Sequence, residues 1–205
     1  MTDSSLDDMT AVILVGGKSR RMGVDKAFLE IDGVPLFERV LEVCREVFNR
    51  TILIGDRSTR FARYGLPVHP DIYPGSALGG LYTGLVQAGT PFAFAAACDL
   101  PFPSSAVARH LASLRYGFDA VVPRSADGFE PLFAVYSRTC LEPMRRLLER
   151  GNFRIYDLYD ELNVRYVPME ALSRLAGDER ALINVNTPEE FARVSGKTDG
   201  TDGAK

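Results

Sequence analysis

The residues best suited to chemistry lie between 16 and 26, Gly-Gly-Lys-Ser-Arg-Arg-Met-Gly-Val-Asp-Lys, where Gly16, Gly17 and Gly23 stand among Lys18, Arg20, Arg21 and Lys26. Glycines let a main chain approach a ligand closely and aim amide N–H groups at it, and basic side chains add positive charge, so this stretch is suited to a polyanion such as a phosphate chain. A Walker A loop would need glycine at position 12, which is Val12, and the dinucleotide-binding pattern needs alternating glycines where these are adjacent. Lysine occurs only at 18, 26, 197 and 205, so within the body of the chain this loop alone keeps the compact point charge that can follow a migrating phosphate charge. Far along the chain, the apolar run Phe92 to Ala97 ends in Cys98-Asp99-Leu100-Pro101. A carboxylate at that place is suited to hold Mg²⁺, which takes one or two carboxylates together with phosphate oxygens. The competing reading makes Asp99 a helix cap ahead of Pro101 and Pro103.

The elements that must position these groups follow from periodicity. Ala11 to Val15 is continuously apolar and closed by Gly-Gly, which predicts a buried strand. Ala27 to Gly33 reads as a short extended stretch turning at Asp32-Gly33. A helix is expected from Pro35 to Asn49, then strands at Thr51 to Ile54 and Leu66 to Val68. Asp71 opens a second glycine-rich loop that runs into a helix. That helix's N-terminus could face an anion, or Gly79, Gly80 and Gly84 could serve close packing on the sheet. Phe92 to Ala97 is expected to be a central strand, which puts Asp99 at the carboxyl edge where open α/β sheets bind ligands. Further on, a helix from Pro103 to Tyr116, a strand at Asp119 to Val122, an antiparallel strand at Glu130 to Tyr136, helices at 140–149 and 155–161, and a strand at Val164 to Val167 are expected. A final helix is capped by Thr187 with Pro188 in its first turn. Strand and helix alternate, so the fold class is α/β: one domain of three layers (α/β/α), Rossmann-like, with a mostly parallel sheet and an antiparallel strand. The division expected is a flexible N-terminus at 1–8, the domain at 9–195 and a disordered tail at 196–205.

Composition narrows the function. The chain has 205 residues, 46% hydrophobic, enough to bury about 70% of its unfolded surface. A formal charge of −3 argues against a long nucleic acid as partner. No run reaches the ~18 apolar residues of a membrane span and the N-terminus lacks a signal-peptide pattern, so no membrane partner and a cytoplasmic location are expected. Cys44, Cys98 and Cys140 are odd in number and far apart, which suits buried thiols. His69 and His110 show no metal-ligand spacing.

The stretch Leu14-Val15-Gly16-Gly17-x-Ser19-x-Arg21-Met22-Gly23-x-Asp25-Lys26, followed by Asp71, Cys98-Asp99-x-Pro101-Phe102, Glu130-Pro131-Leu132 and Asn184-x-Asn186-Thr187-Pro188-Glu189, resembles molybdenum cofactor guanylyltransferase over nearly the whole chain. The resemblance implies a nucleotide-diphospho-sugar transferase-like fold and transfer of GMP from GTP to molybdopterin, giving a guanine dinucleotide cofactor and pyrophosphate with Mg²⁺. It implies catalytic roles for Arg21, Lys26 and Asp99, nucleotide contacts from Leu14, Val15, Gly16, Gly17, Lys26, Asp71 and Asp99, and acceptor-side or metal-side roles for Asn184 and Asn186, with Asp99 on the metal. Molybdopterin-handling proteins and apo-molybdoenzymes are the implied protein partners. Lys26 is expected to be exposed in an empty site. The chain departs from the pattern in having Val15 in place of alanine, Ser76-Ala77 in place of Gly-Pro, and Gly55-Asp56-Arg57 where an asparagine can touch the base. Other readings are a cytidylyltransferase on the same cofactor, a sugar-phosphate nucleotidyltransferase, and a nucleotide-binding scaffold without transferase activity.

Overall fold

The computed structural model describes residues 6–16, 26–55, 59–183, 185 and 187–195. Seven strands form the main sheet: β1 (Met9–Leu14), β4 (Thr51–Ile54), β5 (Val68–His69), β6 (Phe92–Ala97), β7 (Ala120–Arg124), β8 (Phe133–Ser137) and β9 (Val164–Pro168). Their order is β5-β4-β1-β6-β8-β7-β9. Only β8 runs against its neighbours, pairing antiparallel with both β6 and β7, while the remaining pairs are parallel. A tight connection from β7 to β8 leaves no room for a crossover, which is why that strand reverses. A separate hairpin of β2 (Glu30–Ile31) and β3 (Val34–Pro35) turns at Asp32 and Gly33, both at positive φ.

Helices cover both faces, so the strands must be apolar on both sides. In β1, Met9, Ala11 and Ile13 face a core completed by α1 (Leu36–Val47), α4 (Ser105–Ser113) and α7 (Met169–Ala176). Val12 and Leu14 face the other core, under α3 (Ala77–Ala88), α5 (Leu141–Glu149) and α6 (Ile155–Leu158). The short α2 (Thr59–Ala62) brings Phe61 to the first core. The last helix, α8 (Pro188–Val194), starts at Thr187, whose hydroxyl accepts from the Glu190 amide while Glu190 accepts from the Thr187 amide. That capping box satisfies two donors the helix start would leave orphaned.

Several boundaries differ from those read in the sequence, each for a local reason. The stretch after the basic loop begins as a 3-10 turn at Lys26–Phe28, not as extended chain. Pro35 caps α1 from outside with extended ψ, and the helix stops at Val47 because Phe48 turns extended to stack on Phe94 at 4.9 Å. The third strand is shifted to Val68–His69, where it pairs with Leu53 and Ile54. The helix expected from Pro103 starts at Ser105, with the Ser104 hydroxyl accepting from the Val107 amide. Asp99 is therefore not that helix's cap. The α7 helix was not expected at all. None of the three cysteines forms a disulfide, and burial pushes the thiols of Cys44 and Cys140 up to about 12. Among the described residues no helix is long and apolar enough to cross a membrane.

Candidate active site

The carboxyl ends of β1, β4, β5 and β6 lie on one edge of the sheet. The chain leaves β1 at Leu14, and the Val15 amide still donates to the Ile54 carbonyl at 2.9 Å, so the ladder with β4 extends one residue past the strand. The Val15 N–H is thus engaged in the sheet, which leaves its carbonyl and side chain for any contact with a nucleotide. Beside it, β4 is followed by Gly55, with φ of +152° and its amide donating to the His69 carbonyl at 3.0 Å. A Cβ on Gly55 would sit 2.6 Å from the Gly16 nitrogen. Glycine at 55 thus has a packing reason, close approach of two main chains, independent of which base is read.

Asp71 follows β5 and faces the same edge. Its Oδ1 accepts from the Tyr73 amide at 3.0 Å, while the Thr83 hydroxyl lies 2.9 Å from that oxygen and 2.9 Å from the Gly79 carbonyl, sharing one proton between them. The same hydroxyl accepts from the Ile72 amide at 2.9 Å. Desolvation raises the Asp71 pKa against the lowering effect of Thr83 and Tyr73. These bonds all fall on Oδ1, so the carboxylate is held by one oxygen. Gly80 brings α3 close enough that a Cβ there would lie 3.3 Å from Leu14 Cδ2 and 3.7 Å from Asp71 Oδ2. A Cβ on Gly79 would overlap the Tyr73 carbonyl oxygen, and one on Gly84 would overlap Val12 Cγ1. The second glycine-rich stretch is therefore explained by packing of α3 onto the sheet. Its N-terminus is already capped by Ser76, which accepts from the Gly79 amide at 3.0 Å.

Asp99 lies just past β6, at the middle of the sheet, as its place in the sequence implied. Lys26 reaches it from the 3-10 turn, Nζ to Oδ2 at 3.7 Å, and donates to the Val185 carbonyl at 3.0 Å. The Val185 amide in turn donates to the Asp99 carbonyl at 3.1 Å. Lys26 and Asp99 side chains are 17% and 23% exposed. Lys26 is therefore largely buried, contrary to expectation, because the Val185 main chain lies against both it and Asp99. Desolvation raises the Asp99 pKa, partly countered by the positive charge of Lys26. Burial thus makes the free carboxylate costly in the absence of a cation, which is the condition of a metal-binding carboxylate. Among the described residues no three His, Cys, Asp or Glu side chains gather as a metal site. One carboxylate is the donor set expected where phosphate oxygens and water supply the rest of an Mg²⁺ shell.

Gly17, Arg21, Asn184 and Asn186 lie outside the described residues, as do Asp56 and Arg57. The site residues brought together are Leu14, Val15, Gly16 and Asp71 on one side and Lys26 and Asp99 at the centre. Sequence reasoning missed Thr83 and the Val185 main chain. Thr83 carried a weak signal, a hydroxyl one turn past Gly79 in a mostly apolar helix, where the structure buries it fully. The Val185 carbonyl carried none.

Comparison with known proteins identifies the family and the fold. The family model for the MobA-like NTP transferase domain fits residues 11–165. A probable molybdenum cofactor guanylyltransferase of Pelotomaculum thermopropionicum is 38% identical, over 90% of this chain and 91% of its own. The molybdenum cofactor guanylyltransferase of Desulfosudis oleivorans is 34% identical, over 92% and 95%. The crystal structure of molybdopterin-guanine dinucleotide biosynthesis protein A from Archaeoglobus fulgidus superposes with a TM-score of 0.79 at 28% identity, covering 92% of this chain and 97% of that one. A family model over most of the chain and relatives 38% and 34% identical over at least nine-tenths of it lead to one conclusion: this protein belongs to the MobA-like NTP transferase family and is a nucleotidyltransferase.

Proposed function

We propose that the protein transfers GMP from GTP to the terminal phosphate of molybdopterin, releasing pyrophosphate and leaving a guanine dinucleotide form of the cofactor. The observation that carries this reading is the Lys26 and Asp99 pair, 3.7 Å apart and largely buried at the carboxyl end of the central parallel strand. A module that only bound nucleotide would have no use for a desolvated cation and carboxylate at the point where phosphate chemistry would occur. The choice of GTP and molybdopterin rests on the activities named for the relatives.

In the step proposed, an oxygen of the acceptor phosphate forms a bond to the α-phosphorus of GTP as the bond from that phosphorus to the bridging oxygen breaks, and the electron pair leaves on pyrophosphate. The acceptor oxygen is already ionised, so no strong general base is needed and the protein's task is alignment and charge neutralisation. Lys26 supplies positive charge beside the α-phosphate, its ammonium held on the Val185 carbonyl so that it is placed before substrate arrives. Arg21 is assigned to the leaving phosphates, and amides from Gly16 onward to the phosphate chain. Asp71 holds the nucleotide through Oδ2, with Oδ1 fixed by Thr83 and Tyr73. Asp99 would hold Mg²⁺, which when bound supplies Lewis-acid polarisation of the phosphoryl oxygens. Asn184 and Asn186 are assigned to the acceptor or metal side. Molybdopterin-handling proteins that deliver the acceptor and apo-molybdoenzymes that take the product follow as partners, in the cytoplasm.

The test is pyrophosphate release with molybdopterin and Mg²⁺, comparing GTP, CTP and ATP. Release confined to GTP is expected. Preference for CTP would replace this reading with cytidylyl transfer, and no release with any nucleotide would remove molybdopterin as acceptor.

A further inference from the structure

The half of the edge beyond Asp99 carries a group of rings that the transfer step does not use. β7 is parallel to β6 through the intervening β8, so Arg124, the last residue of β7, lies on the same edge as Asp99. The chain turns at Ser125 to Gly128, Phe129 bridges back to Arg124, and Leu132 accepts from the Ala97 amide at 2.8 Å, two residues before Asp99. Arg124 is two strand spacings from β6, about 10 Å. Val122 pairs with Tyr166 and shares a core with Leu14 and α3, so these rings lie on the face of the sheet that also carries Asp71.

Phe129 stacks on Tyr166 at 5.1 Å with planes 27° apart and meets Tyr156 at 5.4 Å. The Arg124 guanidinium lies 5.5 Å from the Phe129 ring and 5.2 Å from that of Tyr166. Arg124 is exposed, and Tyr156 keeps 46% of its surface in water. Beneath them Tyr159 packs edge-on to Phe129 at 5.4 Å. Tyr136 donates to the Pro131 carbonyl at 2.9 Å, so Tyr159 donates to the Tyr136 oxygen at 2.8 Å. A buried hydrogen-bonded chain thus fixes the rings from below while their outer surface stays open.

We propose that Arg124, Phe129, Tyr156 and Tyr166 form a stacking platform for the planar heterocycle of the acceptor, and so determine acceptor specificity. This rests on the nucleotidyl-transfer reading, which requires a phosphorylated acceptor on this edge. Leu14, Asp71 and Gly80 hold the nucleotide on the opposite half, so a second ring site is the acceptor's. Arg124 suits that occupant because a planar, weakly hydrated guanidinium stacks on heteroaromatic rings and attracts an anionic tail. The lateral spacing of about 10 Å between β7 and β6 is of the size of a ring joined to a phosphate by a short chain.

The experiment is a fluorescence titration of a phosphate-free pterin with the whole protein and no GTP, which the absence of tryptophan leaves without a strong protein background. Quenching is expected with the parent. Arg124→Ala and Tyr156→Ala should each weaken binding about tenfold, the scale of one lost stacking contact. Tyr156→Phe, which keeps the ring, should bind like the parent. KM for molybdopterin should rise in parallel with the titration while KM for GTP and Tm stay put. Equal binding and equal KM in the two alanine variants would overturn the platform, as would losses that follow a fall in Tm. If the parent formed no dinucleotide, guanylyl transfer to molybdopterin would fail, while the pterin titration would still decide for or against the platform.

Discussion

Replacing Lys26 by alanine separates a placed catalytic cation from a merely exposed charge. The ammonium holds the Val185 carbonyl at 3.0 Å and sits 3.7 Å from Asp99 Oδ2, with 17% of the side chain in water. Its loss leaves a carbonyl without its charged donor and a desolvated carboxylate without its cation. A hydrogen bond to a charged group contributes about 2 kcal/mol, so stability should fall by about that amount. For a chain of this size that corresponds to a Tm lower by about 4–8 °C. The chemical step should fall further, by about 100- to 1,000-fold, the scale for removal of one preorganised group that stabilises developing charge. A third signature follows from the Asp99 carboxyl. Burial raises its pKa and Lys26 lowers it, so without Lys26 the pKa rises further and the acid limb of the pH–rate profile moves to higher pH. Calorimetry gives the first quantity, and kcat/KM for GTP, measured well below Tm across the acid side of neutrality, gives the other two. A variant with parental Tm, an unmoved acid limb and substantial turnover would refute the placement of Lys26.

Three further outcomes follow from the same geometry. Asp99→Asn should abolish metal-dependent turnover and flatten one part of the stability profile. A carboxyl that binds its proton more tightly when folded adds stability that is fully present below the unfolded pKa and lost as pH rises through the folded one, so the parent should lose that increment and the variant should not. Thr83→Val removes the hydroxyl that holds Asp71 Oδ1 and accepts from Ile72. It should cost about 1–3 kcal/mol by urea denaturation and raise KM for the nucleotide, whereas Thr83→Ser should retain both. Gly84→Ala forces a methyl against Val12 in a packed interface and should destabilise by about 1–3 kcal/mol with KM values unchanged, measurable by the same denaturation.

The sheet was legible because its strands are short, continuously apolar and closed by turn residues, as Thr51 to Ile54 before Gly55 illustrates. The edge bearing the site followed from strand–helix alternation alone, which put Asp99 at the end of the central strand. The α7 helix was not legible because only Leu172 of its residues is buried, too sparse a pattern to read. The two-residue β5 is fixed by pairing with β4, a long-range condition that Leu66 and Pro67 do not reveal. The burial of Lys26 could not be read locally, since the carbonyl that holds it lies 159 residues away. For Asp71 the sequence indicated a ligand role and the glycines around it. That Thr83, one helical turn past Gly79, fixes one carboxylate oxygen emerged only from the folded loop.

The most direct test of nucleotidyl transfer follows two labels in one reaction of the parent with molybdopterin and Mg²⁺: GTP labelled at the α-phosphate and GTP labelled at the γ-phosphate. The account predicts α-label in a molybdopterin dinucleotide, γ-label in pyrophosphate in equal amount, and neither product with Asp99→Asn. Appearance of the α-label as free GMP or GDP, or an undiminished reaction in Asp99→Asn, would contradict it.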